Sequence, residues 1–369
     1  MNVLTHPKVR VWGGFALAAV ILFGVAPAVL SDFRLGLLGK FLCFALVAVG
    51  IGLAWGRGGM LTLGQGVFFG IGAYAMAMHL KIADAELRGD DVPDFMQIAG
   101  ISELPGYWQP FASPVVAIIA VLTLPALVAF LLGLGVFKRR VKGAYFAILS
   151  QALAAAFAIL LVGQQTIGGS NGLNRFRTFF GFNLADPANK RMLFFIAAAV
   201  LLLAVAGIRQ LMNSRYGELL VAVRDQEERV RFLGYDPANI KLVAYVVAAF
   251  LAGIAGALFV PIVGIISPAD VGIVPSLAFL IGVAIGGRAT LLGPVLGAIG
   301  VAWAQSAFSE SFPSGWIYAQ GLLFIVVVGF FPAGVAGLVA LLRRRRTNSP
   351  ESEPDAPAQA EVPEPVKVS

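Results

Sequence analysis

The residues best suited to chemistry or recognition are concentrated in a charged island, Asn213 to Lys241, centred on Arg224 to Gly234 (RDQEERVRFLG). Long apolar runs flank it on both sides. A connection between two apolar segments needs only a handful of polar residues, so an island of this size and charge points to a partner surface. Leu219, Val223, Val230 and Leu233 fall near one face of a short helix, with Arg224, Asp225, Glu228, Arg229 and Arg231 on the others. Gly234 is placed to end that helix, since glycine adopts the left-handed conformation that helix termini often use. Asp236 and Pro237 then begin the next turn. The same composition also describes a solvated loop that only anchors topology.

A second pattern is the glycine-rich stretch Gly56 to Gly72 (GRGGMLTLGQGVFFGIG), echoed more loosely at Gly286 to Gly297 (GGRATLLGPVLG). Each has a glycine pair, then Thr-Leu, then another glycine at the start of an apolar run. Broken helices of this kind let backbone groups line a polar path at membrane depth. Close helix packing needs glycine just as much.

Several chemistries are disfavoured. The clearly apolar cores of the hydrophobic runs hold no Asp, Glu, Lys or Arg, and the histidines are His6 and His79. Proton-coupled carriers and intramembrane hydrolases generally need ionisable groups at depth. No paired carboxylates or metal-ligand cluster stand in the runs, so the chain reads as a non-enzyme. No GxxxxGK[ST] string occurs, so ATP is not bound through that loop and no cofactor is expected in this chain. The single cysteine, Cys43, lies in an apolar run and reads as a packing residue.

The elements that must position these residues are membrane helices. Of the 369 residues 59% are hydrophobic and 13% charged, with mean hydropathy +0.85, far from a soluble domain of this length. Apolar runs repeatedly reach the ~20 residues a helix needs to cross a bilayer. The fold expected is an all-α polytopic membrane protein of about ten spans: Val11 to Leu30, Leu35 to Trp55, Met60 to Leu80, Pro114 to Phe137, Gly143 to Val162, Arg191 to Leu211, Leu242 to Ile266, Gly272 to Gly287, Leu291 to Phe308 and Trp316 to Leu342. The first run is too long for a typical signal-peptide core and is taken as a span.

With both termini in the cytoplasm, 18 Lys and Arg residues fall in or beside cytoplasmic loops before the tail is counted, against eight on the opposite side. That asymmetry, rather than nucleic acid, accounts for the formal charge of +7. The first long outer loop, Lys81 to Ser113, is acidic, and its Phe95, Tyr107, Trp108 and Phe111 suit an interfacial segment. The second, Gly163 to Lys190, begins GQQTIGGSNGLN. Residues 1–346 are expected to form the transmembrane domain, with the island as its long cytoplasmic loop at 213–241. Residues 347–369, rich in Pro, Glu and Ala, are expected to be a disordered cytoplasmic tail.

The stretches Gly58 to Met76, Ala222 to Asp236, Lys241 to Leu258 and Ile285 to Ala298 resemble the permease subunits of ATP-binding-cassette importers of the branched-chain amino acid type. The likeness covers most of Phe41 to Leu338. Within that family the chain is most similar to the urea permease subunits, through VPDFM (Val92 to Met96), ELPGYWQPF (Glu103 to Phe111), VKGAYFAI, GGSNGLNRFRTFFGF (Gly168 to Phe182) and RFLGYDP (Arg231 to Pro237). One position departs: the family commonly carries histidine after the glycine where this chain has Gln65, whose amide still donates and accepts hydrogen bonds.

The resemblance implies that the island holds a coupling helix seated in a groove of a cytoplasmic ATPase, with Arg224, Asp225, Glu228, Arg229 and Gly234 at the matching positions. It also implies a second permease subunit, ATPase subunits that use ATP, an extracytoplasmic substrate-binding protein and a place in the bacterial inner membrane. A urea path should be lined by neutral polar groups, so Thr62, Gln65, Tyr74, Tyr145, Gln151 and Asn171 are its candidate residues, each more readily read as a packing or interfacial residue. The same machine importing branched-chain amino acids, and a passive channel or gradient-driven carrier acting alone, stay open as alternatives.

Overall fold

The computed structural model describes residues 7–141, 143–288, 290–311 and 315–330, together with residues 334 and 337. The chain enters through α1 (Pro7–Ala19), a π-helical turn at Val20–Val25 and α2 (Ala26–Val29). Next come α3 (Asp32–Ile51), prolonged by a π-helical turn to Arg57, then α4 (Gln65–Glu86), α5 (Asp94–Ile98), α6 (Pro114–Lys138) and α7 (Ala144–Val162). Two-residue strands β1 (Leu173–Asn174), β2 (Thr178–Phe179) and β3 (Phe182–Asn183) lead to α8 (Pro187–Met212), α9 (Arg215–Phe232) and α10 (Pro237–Val263). After β4 (Ile265–Ile266) follow α11 (Ile273–Gly286), α12 (Leu292–Ser311) and α13 (Gly315–Phe330). β1 pairs antiparallel with β4, and β2 with β3.

Among the described residues nine segments are long and apolar enough to cross a membrane. The protein is an all-α polytopic membrane protein, in agreement with the first nine expected spans. The tenth, Trp316 to Leu342, begins in α13 and runs outside the described residues. So do the basic run Arg343 to Arg346 and the expected tail.

α4 is the central rod: 89% of its most apolar stretch is buried inside the protein, against 6% for the first span. It packs on α10, which also touches α3 and α6. Small residues allow these backbones to meet, as packing in lipid requires. Gly72 lies against the backbone of Gly253, Gly256 against that of Phe69, and a Cβ at Gly50 would stand 2.9 Å from Ala248 Cα. Phe44, Phe69, Phe259 and Phe279 from four helices form a contiguous aromatic cluster with centroids 5.2 to 6.4 Å apart. Cys43 is buried in this core, as its surroundings in sequence indicate.

The two ends of the bundle differ. At one, the island end, Lys138 of α6 binds Asp236 at 2.6 Å and the Arg288 guanidinium stacks over Trp55 at 5.0 Å. At the other, the loop end, Arg191 of α8 binds Asp32 of α3 at 2.7 Å. Charges intrude further into the spans than hydropathy indicates. Lys40 lies two turns inside α3, and α4 continues far enough to include Lys81 and Asp84, both 2% exposed. The aromatic residues of the 81–113 loop divide between core and surface. Phe95, Trp108 and Phe111 pack against the core and only Tyr107, 61% exposed, stands clear.

Candidate functional site

The island folds as α9, an arm across the island end, followed directly by α10. Gly217, Leu220, Val223 and Val230 are its buried residues. Helical geometry is broken inside it at Gln226 (φ −149°, ψ 72°), so two short helices meet at a kink rather than one continuous amphipathic helix. Gly234 ends α9 with φ +87°. Its N–H donates to the Arg231 carbonyl and that of Tyr235 to the Val230 carbonyl, the paired bonds of a Schellman motif. Asp236 caps α10 by accepting from Ala238 N–H at 3.0 Å, with Pro237 at the first helical position. The Lys138 ammonium holds the Asp236 carboxyl below its ordinary pKa.

The expected apolar face needs correction. Leu233 is 75% exposed and Leu219 only half-buried, because the buried register runs through Leu220 and the helix ends before Leu233. Phe232, Leu233 and Tyr235 form an exposed apolar tip, 90%, 75% and 49% exposed. Arg229 and Gly234 are exposed beside it. Glu228 pairs with Arg231 at 3.0 Å. Glu227, which sequence inspection passes over, accepts from Lys241 at 2.8 Å and Arg231 at 3.3 Å. Its partner Lys241 stands 14 residues on, so only the tertiary fold reveals the pair.

Arg224 joins the island to the glycine-rich junction. Its Nη1 donates to the Gly56 carbonyl at 2.9 Å, while Nε binds Asp225 at 2.7 Å and lowers that carboxyl's pKa. Gly59, with φ +68°, lies so close that a Cβ there would stand 2.6 Å from Arg224 Cγ. The chain between Arg57 and Gln65 is non-helical, a break between α3 and α4. That break sits within the bundle. Leu63 N–H donates to Ser150 Oγ, two turns inside α7, and Gly66 N–H donates to Ser276 Oγ, three turns from the island end of α11. A cavity of about 160 Å³ lies between Gly58–Leu61, the α6–α7 connection and α9, lined by Arg224, Glu227 and Lys241 among others.

The echo at Gly286 to Gly297 is a different object. It is the reversal between antiparallel α11 and α12, where Gly286 packs on the Gly293 backbone and Gly293 N–H donates to Thr290 Oγ1. The two glycine-rich stretches meet, since Gly56 packs on the Arg288 backbone.

The six candidate pathway residues are not gathered into one cluster. Thr62 and Gln65 lie at the break, each 1% exposed, and neither Thr62 Oγ1 nor either amide atom of Gln65 has a hydrogen-bond partner. Tyr74, 5% exposed and with its hydroxyl unpartnered, stands nine residues further along α4. Tyr145 is 78% exposed at the start of α7, Gln151 is half-buried, and Asn171 is exposed beyond the far end of α7. Each unpaired buried polar group costs about 1 to 3 kcal/mol, so Thr62 and Gln65 are residues that packing alone would not choose.

The other end of α4 is pinned. Buried Asp84 accepts from the N–H groups of Arg177 and Thr178 at 2.8 and 3.0 Å, and from the Thr178 hydroxyl at 2.7 Å. His79 Nδ1 lies 2.8 Å from the Phe111 carbonyl. Lys81 binds Asp94 at 2.8 Å. Burial pushes the Asp94 carboxyl up, yet the Lys81 hydrogen bond and charge, helped by Phe95 N–H and Arg88, hold it below its ordinary value.

A bundle of apolar spans with a helix broken inside it and a charged arm touching that break is a multi-pass membrane protein built around a discontinuous helix. The family of permease components of branched-chain amino acid transport systems matches residues 33–331, and the chain belongs to it. It is similar to the high-affinity branched-chain amino acid transport system permease protein LivM of Escherichia coli (strain K12), with 25% identity over 338 residues, 85% of this chain and 72% of that one. The protein of the same description in Salmonella typhimurium (strain LT2) is 24% identical over the same shares. No solved structure matches the chain.

Proposed function

We propose that this chain is one permease half of an ATP-binding-cassette importer in the bacterial inner membrane, passing urea or a related short amide inward, and that it has no enzymatic activity of its own. A separate ATPase docks on the α9 tip, a second permease completes the path, and an extracytoplasmic binding protein delivers the solute. The observation that carries this reading is Arg224, whose guanidinium ties the exposed arm to the carbonyl of Gly56 at the mouth of the broken helix. A push on the Phe232–Leu233 tip by a closing ATPase dimer would reach the break through that contact as a rigid-body movement. Asp225, Glu228, Arg229 and Gly234 shape the arm's charged flank and its end. Urea is supported by the loop strings quoted above and by the uncharged polar groups at the break.

The names of the two relatives favour a second substrate reading, branched-chain amino acids, within the same architecture. Uptake of labelled urea and labelled leucine, in cells carrying the whole transporter with a working or an inactivated ATPase, separates the possibilities. ATPase-dependent urea uptake that leucine does not compete is the expected result. Leucine uptake would replace the substrate and keep the machine. Urea uptake indifferent to the ATPase would overturn the machine in favour of a channel or carrier.

A further inference from the structure

The break before α4 carries two groups whose hydrogen-bonding capacity is unused. Gln65 offers two amide N–H donors and a carbonyl acceptor and Thr62 a hydroxyl, all buried and unpartnered. They stand three residues apart at the N-terminus of a 22-residue helix. The neighbouring polar groups are already committed. Ser150 Oγ donates to Ala147 and accepts from Leu63, and Ser276 Oγ donates to Gly272 and accepts from Gly66. Those serines fix the backbone on either side of Gln65 and leave its amide free. The cavity of about 160 Å³ at the island end reaches Leu61, the residue before Thr62.

We infer that Thr62 and Gln65 form a binding site for a small uncharged solute carrying both N–H donors and a carbonyl acceptor, as carboxamides and ureas do. The inference deepens the importer reading above and rests on it. An amide pairs with a second amide through complementary N–H and C=O groups, and the Thr62 hydroxyl supplies either a donor or an acceptor as the ligand requires. The polar side chains bonded on either side of Gln65, Ser150 and Ser276, are uncharged, whereas the charged Arg224, Glu227 and Lys241 line the cavity that stops at Leu61. A zwitterion seated at Thr62 and Gln65 themselves would have the two serines and not those charges as its neighbours, at high cost in a buried site. In the packed arrangement both groups are buried, each residue 1% exposed. A ligand that satisfies them has binding energy available only when the path opens to it.

The test uses the complete transporter and the nearly isosteric variants Gln65→Met and Thr62→Val, which remove the polar groups but keep the volume. ATP-driven uptake of labelled urea and acetamide should fall at least tenfold in each, while the melting temperature of the purified complex stays level or rises by a few degrees. A falling melting temperature alongside the lost uptake would make these residues structural and overturn the inference, as would unchanged uptake in both variants. Thr62→Ser, which retains the hydroxyl, should keep most of the uptake. A parent transporter that takes up leucine but neither amide, still driven by ATP, would overturn this ligand class and leave the importer standing. Amide uptake in the parent that needs no ATPase would overturn the importer reading itself.

Discussion

Arg224 is the residue that ties the island to the break before α4, and its geometry distinguishes it from a mere surface charge. One guanidinium nitrogen reaches Gly56 while another holds Asp225, a division of labour that a lysine ammonium cannot reproduce at the same reach. Arg224→Ala should cost only about 1 kcal/mol of stability, since the side chain is 37% exposed and its pair with Asp225 is screened by water. Transport should fall roughly tenfold or more, with Arg224→Lys between parent and alanine; uptake rates beside ATPase activity in the assembled complex check this. Some residue-scale features are legible in the sequence. Gly234 as the helix end and Asp236–Pro237 as the next start follow from local backbone rules. The exposure of Leu233 is not, because the kink at Gln226 and the turn at Gly234 interrupt the face on which counting places it.

At the scale of elements, α4 is fixed at one end by Asp84, His79 and Lys81, and its other end opens into the break. Asp84→Ala should leave the N–H groups of Arg177 and Thr178, at partly buried positions, without their acceptor, costing about 1 to 3 kcal/mol. Limited proteolysis should then cleave the 163–190 connection well before the rest of the chain. The Lys81–Asp94 tie predicts a pH response of definite sign. A carboxyl held below its ordinary value of 3.8 contributes stability above that value and loses it as pH falls through the lower, folded one. Protection of residues 88–113 in hydrogen exchange should therefore be constant from neutrality to about pH 4 and weaken only below it; weakening already near pH 5.5 would contradict the assignment. Spans are legible from hydropathy because length and apolar content decide them. The clamp is not, since Asp84 and Thr178 lie 94 residues apart and read as ordinary loop polarity.

For the whole molecule, the charge asymmetry in the sequence gives an orientation, and the fold supplies positions from which to test it. Ile98 at the loop end is 88% exposed and Tyr235 at the island end 49% exposed, whereas native Cys43, 1% exposed, should not compete for thiol reagents. A membrane-impermeant maleimide on intact cells should label Ile98→Cys and spare Tyr235→Cys until the membrane is opened; the reverse pattern would invert the topology. Fold class was open to reading from composition alone, whereas the site was open only in part. Thr62 and Gln65 stand out in sequence as polar residues among glycines, but that they lack partners depends on where Ser150 and Ser276 from distant helices spend their own hydrogen bonds.

The apolar tip of α9 also bears on how such a protein is made. Until a partner covers Phe232, Leu233 and Tyr235, each surplus copy carries a greasy, solvent-facing projection of the kind that chaperones hold and membrane proteases recognise. On the proposed reading that an ATPase docks there, abundance of this chain in the cell should follow that of the ATPase, so that unequal synthesis of the two is corrected by degradation of the orphan.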